Sequence, residues 1–129
     1  MEAKLAKIDY ESLNSRQQEN FNFQKVAGYL ADYGFNCLKL SDDWQGADFL
    51  ACHVNGTDFL KVQLKGRMVL DEKYVGKNIY IAFVQGLNCY VYPHDEVKER
   101  VHNLGYQFSV RHWPKLPKWA YEILADYRL

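Results

Sequence analysis

Apolar residues recur at helical spacing between residues 15 and 33 of this chain. The stripe they form consists of Phe23, Val26, Ala27, Leu30 and Tyr33. A stripe with this period predicts an amphipathic helix that packs against a sheet. Ser15 with Gln18 forms a capping-box pattern at its start, and Gly34 is a natural stop after its last turn.

After this helix the pattern changes to short apolar runs that are typical of strands. The predicted strands are FNCLKL, ADFLACHV, residues 58–66, IYIAFV and CYVY. Asn55-Gly56 between the second and third runs predicts a tight hairpin, and residues 85–88 join the last two runs. Residues 41–46 and 67–77 are polar and are predicted as loops.

The last third of the chain predicts two more helices and a short strand. Pro93, followed by Asp95 and Glu96, starts a helix of roughly ten residues, because proline and acids are favoured at a helix N-terminus. A strand over residues 106–112 and a closing helix over 118–127 follow. The residues of that helix expected in the core are Trp119, Tyr121, Leu124 and Tyr127. This order predicts an α/β fold, a mixed β-sheet flanked by helices, and the 129 residues form one domain.

Composition and charge narrow the function only a little. The formal net charge is zero, yet residues 1–60 hold five Lys/Arg against nine Asp/Glu and the remainder hold eleven against seven. Such a balance offers one basic face to a polyanion, or is scatter without function. The three cysteines and four histidines show no C-x₂-C or H-x₃-H spacing, which argues against structural zinc. The charged N-terminal segment and the absence of any 18-residue apolar run predict no membrane partner and a cytoplasmic location.

The segment TDFLKVQLKGR, residues 57–67, carries the candidate chemistry. Side chains alternate along a strand, so Leu60, Val62 and Leu64 share one side. Lys61, Gln63 and Lys65 share the other side, and a face of this kind is most simply exposed to water. The alternative is a site, because Asp48 opens the preceding strand and the hairpin brings it towards Gln63 and Lys65. Asp58 is out of phase with Gln63 and is predicted to cap the turn.

The residue types suit a hard divalent cation. Asp48, the Gln63 side-chain carbonyl and the backbone carbonyl of Leu64 could hold Mg²⁺ or Mn²⁺, which prefer oxygen ligands. Lys65 beside them could stabilise the charge that builds on a phosphate during hydrolysis. The pattern therefore predicts phosphodiester hydrolysis.

These residues carry a family resemblance. A helix ending YLADYGF, the segment GADFLACHVNGTDFLKVQLKGR and the later IYIAFV and CYVYP pair, about residues 19 to 93, resemble the PD-(D/E)xK nuclease superfamily. That superfamily includes restriction enzymes, Holliday-junction resolvases and some intron-encoded homing endonucleases. The resemblance implies a restriction-endonuclease-like fold, with Asp48 as the first metal ligand, Gln63 in the place of the second acid, and Lys65 as the catalytic lysine. Glu19 resembles the family's helix glutamate, about one turn earlier than the usual position near Phe23.

The resemblance implies a divalent-metal-dependent DNA endonuclease. Four basic residues cluster around and after the site and are either its nucleic-acid contacts or ordinary solvated side chains: Lys61, Arg67, Lys73 and Lys77. A cutter of both DNA strands with one site per chain predicts a homodimer or a higher homo-oligomer. Because Gln63 is neutral, a second hypothesis stays open: a non-catalytic nuclease-like module that binds DNA or a protein.

Overall fold

A five-stranded sheet forms the centre of the structure, a computed structural model that describes residues 5–106 and 115–129. The strands are β1 (Phe35–Trp44), β2 (Ala47–His53), β3 (Phe59–Leu64), β4 (Ile79–Gln85) and β5 (Asn88–Pro93). The helices are α1 (Ser15–Ala31), α2 (His94–Asn103) and α3 (Lys118–Leu124). Single 3₁₀ turns lie at Tyr10–Ser12, Glu72–Tyr74 and Ala125–Tyr127.

The strands follow one another across the sheet in chain order. Every neighbouring pair is antiparallel except β3 and β4, which are parallel. Because β2 and β3 are antiparallel, the start of β2 and the end of β3 lie side by side, at the edge of the sheet where strands begin and end. The predicted α/β fold, a mixed sheet flanked by helices, is confirmed. No helix within the described ranges is long and apolar enough to cross a membrane.

Two apolar cores cover the two faces of the sheet. On one face the α1 residues Phe23, Val26 and Leu30 pack against a cluster that includes Phe49 and Val62. On the other face, α2, α3 and the segment 68–74 pack against the buried side chains of β4 and β5. Burial of large apolar side chains on both faces is the main stabilising contribution expected for a sheet of this kind.

The predicted helix boundaries need small corrections. The N-cap of α1 is Asn14 and not Ser15: Asn14 Oδ1 accepts from Gln17 N at 2.8 Å, and Gln17 Oε1 accepts from Asn14 N at 2.9 Å. Because α1 ends at Ala31, Tyr33 does not belong to its apolar stripe and is 50% exposed.

The first strand is longer than predicted. β1 runs through most of the expected loop 41–46 to Trp44, with a register shift between Lys39 and Trp44. The turn that follows is tight, with positive φ at Gln45 (55°) and Gly46 (86°). The hairpin at Asn55-Gly56 is confirmed, and Asp58 caps it by accepting from Asn55 Nδ2 at 2.7 Å.

The C-terminal helix buries a different set of residues from the one predicted. Its core residues are Ala120, Ile123 and Leu124, whereas Tyr121 is 39% exposed. Trp119 and Tyr127 are half-buried and pack at the margin of the core. The predicted strand over residues 106–112 lies outside the described residues except for Tyr106, which is not in a strand.

Two buried polar side chains hold the segment between β3 and β4 against the sheet. The Tyr92 hydroxyl accepts from Val69 N at 2.9 Å and donates to Val69 O at 2.7 Å. His94 Nε2 accepts from Asp71 N at 2.9 Å, so its Nδ1 carries the proton and donates to Asp95 at 2.9 Å. These bonds satisfy the backbone of a segment that forms no strand.

We expect Tyr92→Phe to destabilise the fold by about 1–3 kcal/mol, because it leaves the buried N–H and C=O of Val69 without their partner. Urea unfolding followed by circular dichroism measures the change. Tyr33→Phe, at an exposed tyrosine, is the matched control and should change stability by less than about 0.5 kcal/mol. Equal effects of the two substitutions would contradict a structural role for the Tyr92 hydroxyl.

Candidate active site

The candidate site lies where β2 begins and β3 ends. Phe49 pairs with Val62 in the antiparallel ladder, so the next pair towards this edge is Asp48 with Gln63. Directly opposed residues have Cβ atoms about 4.5–5.5 Å apart. Lys65 follows on the same face as Gln63, and its backbone N–H still pairs with Ala82 of β4 at 2.9 Å. The strand ends therefore bring an acid, an amide and an ammonium to one place.

A cavity of about 380 Å³ opens at this edge. Of the residues predicted from the sequence, it is lined by Glu19, Asp48, Gln63, Leu64 and Lys65. Glu19 reaches it because the first turns of α1 lie beside the strand ends. The chemistry-bearing residues proposed for metal binding and catalysis thus share one cavity.

The cavity also has lining residues that the sequence reasoning missed. They are Tyr10, Ser15, Gln18, Asn22 and Gly66. Ser15 lies four residues before Glu19 and Asn22 three residues after it, and Gln18 is at offsets of three and four from the same two residues. That spacing places them on one helix face and could have identified them. Tyr10 comes from the segment before α1 and is held by Gln18 Nε2, which donates to its carbonyl at 3.2 Å, and by Asn22 Nδ2, which donates to its hydroxyl at 3.0 Å.

Asp48 is a half-buried carboxylate with one structural hydrogen bond. Its Oδ2 accepts from Leu64 N at 2.8 Å. Desolvation by burial raises the pKa of the Asp48 carboxyl above its ordinary value, and the neighbouring carboxylates Glu19 and Asp43 raise it further. The Leu64 N–H and the Lys65 ammonium lower that pKa and only partly offset the rise. A cation bound beside Asp48 would thus favour the ionised carboxylate, which burial disfavours.

Gln63 is buried, with 9% of its surface exposed, and its Oε1 atom has no hydrogen-bond partner among residues 5–106 and 115–129. The alternative that this strand face is simply exposed to water is therefore wrong at Gln63. Amide and carboxylate oxygens are the donors that hard cations prefer, so Gln63, Asp48, Glu19 and the Leu64 carbonyl fit Mg²⁺ or Mn²⁺. Among the described residues no three His, Cys, Asp or Glu side chains form a metal cluster, so a binding site here needs the amide and the backbone oxygen.

Lys65 and Lys61, on the same face of β3 in the sequence pattern, have different surroundings. Lys65 lines the cavity, with its Nζ 5.6 Å from the centre of the Tyr74 ring. Lys61 is outside the described lining of the cavity: its Nζ donates to the Lys77 carbonyl and lies 6.0 Å from the Trp44 ring.

The four residues predicted to contact nucleic acid lie outside the described lining of this cavity. Lys73 is exposed and lies 5.1 Å from the Tyr74 ring, Lys77 is exposed, and Arg67 lines a neighbouring cavity. Lys61 is half-buried.

Comparison with known proteins gives one structural neighbour. No family model matches the chain, and no curated protein sequence matches it. Among solved structures, the chain is similar to Hjc, a Holliday junction resolvase from the archaeal hyperthermophile Archaeoglobus fulgidus. The two share 13% sequence identity over 78% of this chain and 91% of that chain, with a TM-score of 0.48.

We expect Asp48→Asn to stabilise the metal-free protein at pH 7 by about 0.5–1 kcal/mol, because the amide keeps an acceptor for Leu64 N–H and removes a desolvated charge. The folded-state pKa of Asp48 is raised, so ionisation weakens the fold as pH rises from the ordinary value of 3.8 through the folded value. The advantage of Asn should therefore vanish near pH 3.

Urea unfolding at pH 7 and at pH 3, in the presence of EDTA, measures this difference. Asp42→Asn, at an exposed acid of β1, is the matched control and should change stability by less than about 0.5 kcal/mol at either pH. A loss of stability at pH 7 with Asp48→Asn would show that the carboxylate charge supports the fold.

Proposed function

We propose that this protein is a divalent-metal-dependent DNA endonuclease that hydrolyses phosphodiester bonds, a Q-x-K variant of the PD-(D/E)xK nucleases. The observation that carries the proposal is the Gln63 amide: its Oε1 atom is buried and has no partner among the described residues, and Gln63 lines a cavity together with Asp48 and Lys65. A buried polar atom left unsatisfied destabilises a fold by about 1–3 kcal/mol. Such an amide in the wall of a polar cavity, beside a carboxylate, supports a ligand that the amide oxygen binds.

Each residue has a distinct role in this proposal. Asp48, Gln63 and the backbone carbonyl of Leu64 would hold the ion, and Glu19 would add a second carboxylate from α1. The ion would act as a Lewis acid on the scissile phosphate. Lys65 would donate from its ammonium to a phosphate oxygen and stabilise the negative charge that develops there. Asp48 keeps its bond to Leu64 N–H, so the end of β3 stays in position while Lys65 acts.

The neutral Gln63 supports a second candidate, a nuclease-like module that binds DNA or a protein without cutting. An amide ligand holds a divalent ion less tightly than a carboxylate does. The metal measurement below separates this candidate from the enzyme. The homodimer and the cytoplasmic location expected from the sequence remain parts of the proposal.

The first functional prediction concerns the metal. Asp48→Ala should abolish Mn²⁺ binding and DNA cleavage, and Gln63→Glu should tighten the ion by about tenfold, because a second charge joins the site. Glu19→Gln should weaken binding less than Asp48→Ala. Calorimetric titration with Mn²⁺ measures the affinities, and circular dichroism checks that each variant is folded. An unchanged Mn²⁺ affinity in Asp48→Ala would show that the metal does not bind at this site.

The second functional prediction separates two lysines of the same strand face. Lys65→Ala should lower the single-turnover cleavage rate of supercoiled plasmid DNA by about a hundredfold, with Mn²⁺ affinity unchanged, because the ammonium acts in the transition state. Lys61→Ala should weaken DNA binding and its salt dependence while leaving the chemical step nearly intact. Small and equal effects of both substitutions would contradict a catalytic role for Lys65.

A further inference from the structure

A second cavity of about 430 Å³ adjoins the candidate active site, and Gly66 lines both cavities. Its walls include Arg67, Lys115, Gln85 and Tyr121, and the buried Phe83 lies beneath them. These residues come from the segment after β3, from β4, from the segment before α3 and from α3 itself. None of the proposed catalytic roles uses this cavity.

We propose that this cavity, the Gly66 subsite, binds an unstacked nucleotide of the DNA strand, next to the bond that is cut. The inference rests on the proposed function, because the cleaved phosphate must lie at Lys65. It adds a substrate preference: DNA that is single-stranded or distorted should bind better than a perfect duplex.

The charge of the subsite suits the phosphate of that nucleotide. Arg67 and Lys115 are both exposed, and none of the described lining residues is acidic. Arg and Lys side chains account for much of protein contact with nucleic-acid backbones. Two cations from distant parts of the chain thus meet at one concave surface immediately beyond Lys65.

The aromatic wall suits the base. Tyr121 is 39% exposed, although Ala120 before it and Leu124 after it are fully buried. Its hydroxyl accepts from Gln85 Nε2 at 2.9 Å, a bond that orients the ring. As far as the described residues show, the Gln85 carbonyl oxygen remains to bond the edge of a base. An exposed ring beside cations is the arrangement with which proteins bind unstacked bases.

Gly66 lies at the boundary of the two cavities with open space around it. A Cβ atom built at Gly66 meets no atom of the described residues within 4 Å, and the backbone there is outside the left-handed region. Neither packing nor conformation therefore requires glycine at this position. A side chain placed there would project into the space that a strand needs to pass from one cavity to the next.

The binding test uses a 24-nucleotide single strand and the perfect 24-base-pair duplex of the same sequence, each labelled with fluorescein, in EDTA. Fluorescence anisotropy at several KCl concentrations gives the affinity and its salt slope. Tyr121→Ala should weaken single-strand binding about fivefold or more with an unchanged slope. Its effect on the duplex should be small. Arg67→Ala and Lys115→Ala should each lower the single-strand slope by about one.

Three matched controls lie outside both cavities. Tyr33→Ala removes an exposed tyrosine, and Lys25→Ala removes an exposed lysine of α1. Gly28→Leu adds the same side chain as Gly66→Leu at another glycine with open space around it. Gly66→Leu should weaken single-strand binding as Tyr121→Ala does, the two effects should not add when combined, and Gly28→Leu should change nothing.

The outcomes separate this inference from the proposed function. If Tyr121→Ala and Gly66→Leu bind the single strand as the wild type does, or lose affinity equally for both DNAs, the Gly66 subsite is overturned even if the wild type cuts DNA. If the wild type cuts nothing but the selective loss of single-strand affinity is found, the subsite is supported and the enzymatic proposal fails.

Discussion

The hydrogen bond from Leu64 N to Asp48 Oδ2, 2.8 Å long, is the contact on which the candidate site depends. It joins the start of β2 to the end of β3 beyond the last ladder pair between these strands, Phe49 with Val62. The same contact keeps the carboxylate at a position where burial raises its pKa. This one hydrogen bond thus connects the two strand ends and holds a partly desolvated carboxylate at the cavity. Charges held at an energetic disadvantage by the fold are characteristic of functional sites.

The segment 66–78 provides the second support of the site. It contains none of the five strands, and side-chain hydrogen bonds from Tyr92 and His94 hold its backbone at Val69 and Asp71. Asp95 continues this network: desolvation opposes its ionisation, but hydrogen bonds from His94 and Gly76 N–H outweigh that effect and lower its pKa. The Tyr74 and His94 rings contact edge to face with centroids 5.5 Å apart, and the Lys65 ammonium lies 5.6 Å from the centre of the Tyr74 ring. Contacts through Tyr74 and His94 thus connect Lys65 to the start of α2.

The sequence predicted the features that depend on local rules. Strand alternation and the Asn55-Gly56 turn determine which face each residue takes, so the juxtaposition of Asp48 with Gln63 could be read from spacing alone. The burial of Gln63 could not, because it depends on how segments distant in the chain pack over this edge. The exposure of Tyr121, which is predicted as a core residue of the last helix, could not be foreseen either, because its partner Gln85 lies 36 residues away. Contacts across such separations leave no periodic signal in a single sequence.

The irregular β1 strand has a consequence for self-association. Residues 128 and 129 cover the outer edge of β5. Leu129 N donates to Cys89 O at 2.9 Å, and Arg128 forms an isolated antiparallel β-bridge with Tyr90. β1 is the opposite outer strand of the sheet, and its register shift between Lys39 and Trp44 interrupts the regular row of backbone donors and acceptors. Bulges of this kind protect edge strands from pairing with other chains, a common route to aggregation. The part of β1 on which a second copy could extend the sheet in a regular register is accordingly confined to residues 35–39.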